Sequence, residues 1–107
     1  MPSFSVRSVF LWKPREDQLR RNLYEERIAL WQASDIDEAV LVAEREAQTY
    51  ASDADVKYLG FCQAYALVEE VGVNGIEVFS LLRDSDLDPS QYLDAFFATG
   101  GERERVA

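Results

Sequence analysis

The stretch Leu23-Tyr24-Glu25-Glu26-Arg27-Ile28-Ala29-Leu30-Trp31-Gln32-Ala33-Ser34-Asp35-Ile36-Asp37-Glu38 decides the fold class, because its periodicity changes midway. As far as Ala33 it reads as a strand. Tyr24, Glu26, Ile28 and Leu30 share one face, and Leu23, Glu25, Arg27, Ala29 and Trp31 share the other. From Ser34 the spacing becomes helical. Ser34 is placed to cap the first turn, with Asp37 three positions on, and Asp35, Asp37 and Glu38 set negative charge at the positive end of the helix dipole. Ile36, Ala39, Val40, Ala43, Ala47 and Tyr50 then form one apolar stripe, with an end expected near Tyr50 to Ser52.

The flanks extend this strand–helix unit in both directions. Upstream, Phe4, Val6, Phe10 and Trp12 alternate with Ser3, Ser5 and Arg7, a strand that Lys13-Pro14 ends because proline lacks the ladder N–H. Charged residues 15–22 connect it to the second strand as a long-looped antiparallel hairpin. Downstream, Val56 to Val68 reads as a third strand. Small residues (Gly60, Cys62, Ala64, Ala66) occupy its even positions and large ones (Leu59, Phe61, Tyr65, Leu67) its odd positions, so the helix is expected against the small side. Asn74-Gly75 is a hairpin signal before a fourth strand, Ile76 to Arg83. Asp88-Pro89 opens a second helix that carries Tyr92, Leu93, Phe96 and Phe97 and stops at Gly100-Gly101.

The order ββαββα predicts an α+β fold: a four-stranded antiparallel sheet in the order 2-1-3-4, the first helix on one face, and a short C-terminal helix. Residues 1–101 are expected to form one domain and residues 102–107 a frayed tail.

Composition narrows the chemistry. Twenty acidic residues against eleven basic ones give a net charge of −9, which argues against nucleic-acid binding through the phosphate backbone. The absence of His removes His-based acid–base catalysis, the His-dependent nucleophile systems and His-ligated metals. A single cysteine, Cys62, forms no internal disulfide and no CxxC site. In the run Asp84-Ser85-Asp86-Leu87-Asp88-Pro89 the acids alternate as at the start of a calcium loop, but the turn Gly and the bidentate Glu are missing, so it reads as a helix-capping turn. No metal or cofactor is expected. No apolar run is long enough for a membrane span, and Met1 to Arg7 lacks the features of a signal peptide, so no membrane partner and a cytoplasmic location are expected.

Three stretches carry a resemblance. Leu23 to Ala33 leading into the acidic helix start, Tyr58-Leu59-Gly60-Phe61, and Gly75-Ile76-Glu77-Val78-Phe79-Ser80, together with the Phe4-Ser5-Val6-Arg7 strand, resemble a bacterial family catalogued as domain of unknown function 4288. The resemblance covers roughly Phe4 to Arg83 and implies a small, stand-alone or fused, cytoplasmic bacterial domain. It brings no catalytic residues with it.

Glu25 and Glu26 are adjacent in a strand and point to opposite faces, so they cannot flank one substrate bond as an acid–base pair. The one that faces the helix side reads as a structural carboxylate that reaches solvent or backbone N–H groups at the rim, and Cys62 as a small core residue. The sheet face opposite the first helix is expected to mix aromatic and charged groups. Arg7, Glu25, Arg27, Trp31, Phe61, Gln63, Tyr65, Glu77 and Phe79 are its candidate binding residues, because interfaces are enriched in aromatics and Arg. The C-terminal helix is the competing cover for the aromatic half. The function expected from this is a non-enzymatic protein-interaction module, a homodimer or a binder of a protein partner in the manner of immunity or inhibitor proteins. The alternative is a small-ligand-binding protein or enzyme that uses the Arg, Glu and Tyr groups of that same face.

Overall fold

Alternation of apolar and polar residues makes Ser3–Trp12 a strand, β1, and this strand lies at the centre of the sheet. The computed structural model describes residues 1–72 and 74–97, together with the backbone of 103–106. After β1 come β2 (Asn22–Gln32), α1 (Ile36–Ala54), β3 (Lys57–Ala66), β4 (Ile76–Ser85), α2 (Pro89–Phe97) and β5 (Arg103–Val106). All strand pairs are antiparallel, and the fold is α+β.

The even residues of β1 point at α1. Val6 packs with Val40, Ala43, Cys62 and Ala64; Phe10 packs with Ala47 and Ala51; Phe4 packs with Ala33 and Ala39. Of the α1 alanines, Ala43 thus meets Cys62 and Ala64 on the small side of β3, as its sequence pattern predicts, while Ala66 on that side stays exposed; Cys62 is buried beneath the helix. The opposite face belongs to α2. Its Tyr92 and Phe97 are buried against Val9, Tyr24 and Phe61. The competing cover is therefore present on the aromatic side of β1 and β3, while Phe96 stays partly exposed.

The strand order is β4-β2-β1-β3-β5, not the expected 2-1-3-4. Asn74-Gly75 does not fold β4 back onto β3. It fastens the chain to the end of β2 instead: Gly75 N–H donates to the Leu30 carbonyl at 2.7 Å and Gln32 N–H to Asn74 Oδ1 at 2.7 Å. The connection reaches that point by crossing the start of β1. Leu67 N–H donates to the Ser3 carbonyl at 2.9 Å, and Val71 N–H donates to Ser3 Oγ at 2.7 Å. Gly75 sits at φ +70 with the Trp31 ring 3.0 Å from where a Cβ would be, so conformation and close approach both require glycine there.

Beside β3 the backbone of β5 pairs Ala64 with Arg103 and Phe61 with Val106, so part of the segment expected to fray is a strand. The expected helix stop at Gly100-Gly101 lies outside the described residues. The α1 cap is displaced by one residue. Asp35 accepts from Glu38 N–H at 2.8 Å, and Ser34 N–H donates to Glu38 Oε1 at 2.9 Å. The acid caps in place of the serine, and Glu38 reaches back to the N–H of the residue before the cap and not to that of the cap itself. The helix also runs past the expected end and closes at Asp55 in the left-handed conformation, φ 57. The start of α2 is as read: Gln91 N–H donates to Asp88 Oδ1 at 2.9 Å, with Pro89 as the first helical residue.

Candidate functional site: two clusters built on adjacent glutamates

Directly opposite residues of an antiparallel pair share a face. β1 pairs with β2 as Phe4↔Trp31 and Arg7↔Ile28, so the even residues of β1 lie with the odd residues of β2. This corrects the expected binding face. Glu25, Arg27 and Trp31, with Glu77 opposite Ala29, lie on the α1 side; Arg7, Phe61, Gln63, Tyr65 and Phe79 lie on the α2 side. The nine candidate residues form two groups, one on each face. Parity within each strand is legible in the sequence, but the relation between two strands joined by a long loop is not.

Glu25 and Glu26, only 3% and 1% exposed, each centre a cluster. On the α1 side Glu25 Oε1 accepts from Trp12 Nε1 at 3.1 Å and from the Tyr50 hydroxyl at 2.6 Å, and Oε2 accepts from the Ser80 hydroxyl at 2.5 Å. Three elements, β1, α1 and β4, deliver these donors, and all three donors are neutral. Arg27 lies beside them. Its guanidinium donates to Glu77 at 2.6 Å and to Glu46, and stacks 4.2 Å over the Tyr50 ring. Burial alone pulls the Arg27 pKa down, but the bonds to Glu46 and Glu77 outweigh it and the net shift is upward.

On the α2 side Glu26 Oε1 accepts from Arg7 at 2.6 Å, and Oε2 accepts from the Tyr92 hydroxyl at 2.7 Å and from Arg83 at 3.2 Å. Both arginines also lie on rings of α2, Arg7 4.0 Å from Phe97 and Arg83 4.3 Å from Phe96. Tyr24 stacks on Tyr92 at 3.9 Å and donates to the Leu87 carbonyl at 2.7 Å. Burial, and then the bond to a glutamate, push the Tyr50 and Tyr92 hydroxyls well above the ordinary tyrosine range.

The remaining candidates fall into place around these clusters. Phe61 meets Phe97 edge-on at 5.4 Å, and the Gln63 amide donates to the Phe97 carbonyl, so both are covered by α2. Trp31 packs beside the Val6 cluster and under Gly75. Tyr65 and Phe79 keep 39% and 45% of their surface exposed. Sequence reasoning did not pick out Trp12, Glu46, Tyr50, Ser80, Arg83 and Tyr92 as partners. The adjacency of Glu25 and Glu26 was the available signal, since two buried carboxylates on opposite faces need separate sets of donors.

The carboxylates of the 84–88 run are held in the same way. Asp84 accepts from Leu19 N–H at 2.8 Å and Arg20 N–H at 3.1 Å, and Asp86 accepts from Arg21 N–H at 3.0 Å. They tie down the loop between β1 and β2. The Arg21 N–H is the main cause of the lowered Asp86 pKa. Among the described residues no group of Cys, Asp and Glu is arranged to hold a metal ion, and no helix is long and apolar enough to cross a membrane. A depression of about 370 Å³ is lined by Arg15, Asp17, Gln18, Leu23, Leu82, Arg83 and Asp84, and another of about 410 Å³ lies between Leu11–Pro14 and Asp55–Lys57. Glu25, Glu26 and Arg27 line neither.

Comparison with protein families, with curated proteins and with solved structures finds no match.

Proposed function

We propose that the chain is a non-enzymatic protein-interaction module whose contact surface lies at the β4 margin of the sheet, on the part of the face opposite α1 that α2 leaves open. One observation carries this reading. Ile76 and Phe79 are exposed on that face of β4, with Val78 exposed at the bulge between them, and Phe96 is exposed nearby on α2, whereas apolar side chains on a monomer's surface are usually scattered. The alternative, a ligand site or active centre of Arg, Glu and Tyr groups, has less support. The oxygens of Glu25 and Glu26 already accept from Trp12, Tyr50, Ser80, Arg7, Arg83 and Tyr92. The partner is a second copy of the chain or another protein; in the latter case the net charge of −9 favours a basic one, as an immunity- or inhibitor-like binder would have. Kinship with the domain of unknown function 4288 family, on the residues quoted above, is part of the same proposal, as is a cytoplasmic setting.

A photo-reactive phenylalanine analogue at position 79, with the same analogue at exposed Leu41 on α1 as control, tests this reading in intact cells. Cross-links specific to position 79 are expected. Equal labelling from both positions, or none from position 79, overturns it.

A further inference from the structure

The outer edge of β4 pairs with no other described strand, since the order ends β4-β2-β1 on that side. Exposed edges are normally protected by lysine, proline or free charge. β4 contains neither Lys nor Pro, and its three charged residues, Glu77, Arg83 and Asp84, are each held by the chain itself. Glu77 is bonded to Arg27 at 2.6 Å, Arg83 to Glu26 at 3.2 Å, and Asp84 to the Leu19 N–H at 2.8 Å. An edge with apolar side chains and no uncommitted charge is suited to pairing. On a chain of charge −9 it is a stretch where a second copy can approach without facing free carboxylates.

The residue pattern also fits a two-fold axis. Through the pairings Ile28↔Phe79, Glu26↔Leu81 and Tyr24↔Arg83, residues Phe79, Leu81 and Arg83 share the α2 side; Ser80 and Leu82 share the α1 side. With the axis at Leu81, Phe79 of one copy faces Arg83 of the other, Ser80 faces Leu82, and Leu81 faces itself. Every match keeps side chains on a common face. Arg83 already lies 4.3 Å over Phe96, so Phe79 of the second copy meets a guanidinium that is stacked and neutralised. The bulge between Ile28 and Ala29 falls outside this segment.

We infer that β4 is the seam of an isologous homodimer, in which two copies pair antiparallel about Leu81 and the sheet runs continuously through both. The inference rests on the interaction reading above and names its occupant. Sedimentation velocity across a micromolar concentration series is the test. The wild-type chain is expected to pass from monomer to dimer. Phe79→Arg sets two guanidinium groups face to face and is expected to raise the dissociation constant about tenfold or more. Phe79→Glu sets a carboxylate opposite Arg83 and is expected to keep the dimer. Circular dichroism checks that both variants are folded, and amide exchange within residues 79–83 is expected to slow as the wild-type dimer forms. A wild-type chain that stays monomeric at every concentration overturns the inference, and so does equal loss of the dimer in both variants. If position 79 still cross-links to a different protein while the purified chain is monomeric, the interaction reading stands and the second copy is excluded.

Discussion

At Glu26 one carboxylate with 1% exposure meets two guanidinium groups and a phenol, whereas one residue earlier Glu25 is held by an indole, a phenol and a serine hydroxyl. Removing the charge at Glu26 leaves Arg7 and Arg83 partly buried without their partner. Glu26→Gln is expected to lower stability by about 2–3 kcal/mol, read from urea unfolding. Tyr50→Phe and Tyr92→Phe each remove a bond to a buried carboxylate and should cost about 1.5–3 kcal/mol. Because the two hydroxyls serve different glutamates on opposite faces, the double variant should be additive within about 0.5 kcal/mol. Coupling well above that would mean that the clusters communicate through β2. The tyrosines set a pH limit as well. Burial raises the pKa of Tyr24, Tyr50, Tyr58 and Tyr92 above the ordinary value of 10.0. The unfolded chain therefore loses these protons first. The stabilisation is fully present below pH about 10 and is lost as pH rises beyond it. An ultraviolet titration should show these tyrosines ionising together with unfolding, and four tyrosines titrating normally in the folded protein would refute the burial argument.

Among the elements, α1 and its docking were largely legible. The stripe of Ala39, Ala43 and Ala47 docks as its pattern implies, Ala43 on the small positions Cys62 and Ala64 of β3 and Ala39 and Ala47 on Phe4 and Phe10 of β1. Replacing Ala43 with Leu should cost about 1–3 kcal/mol by overpacking against Val6, Cys62 and Ala64. The cap was misplaced by one residue because Ser34 and Asp35 are both good caps with an acid three positions on, and only backbone geometry separates them. Asp35→Ala should therefore cost about 1 kcal/mol in thermal unfolding, and Ser34→Ala distinctly less. Equal effects would return the cap to the serine. The Asn74-Gly75 turn was recognised as a turn but assigned to the wrong neighbour. Its anchors, Leu30 and Gln32, are more than forty positions away, and no local pattern announces them.

For the molecule as a whole, the class was readable and the assembly was not. Periodicity gives the strands and the α1 face, since it depends on residues close in sequence. The strand order depends on which strand β4 joins, and the division of the candidate site on the parity of two registers, Phe4↔Trp31 and Ala29↔Glu77, where a shift of one residue in either would exchange the faces. β1 is hydrogen-bonded on both sides and lies between the two helices, whereas β4 has one neighbour among the described strands. Amide exchange in dilute protein should therefore be slowest in β1 and much faster at the outward N–H groups of β4. Uniform protection across both strands at low concentration would show that the β4 edge is already covered.

The passage of the chain past the start of β1 at Leu67 and Val71, before it reaches β4, has a consequence for the order in which the protein is completed. Synthesis delivers the N-terminal part first, and β2 (Asn22–Gln32) is made more than forty residues ahead of β4 (Ile76–Ser85). Until then the outer edge of β2 is open, Glu25 lacks Ser80, Arg27 lacks Glu77, and Glu26 lacks both Arg83 and Tyr92. The nascent chain thus carries two incompletely bonded carboxylates and a guanidinium on an unpaired strand, and it is the last third of the sequence that converts this intermediate into a closed fold. Premature termination near residue 72 should for that reason yield a chain that holds α1 against β1 and β3 only weakly and is exposed to aggregation and proteolysis through β2.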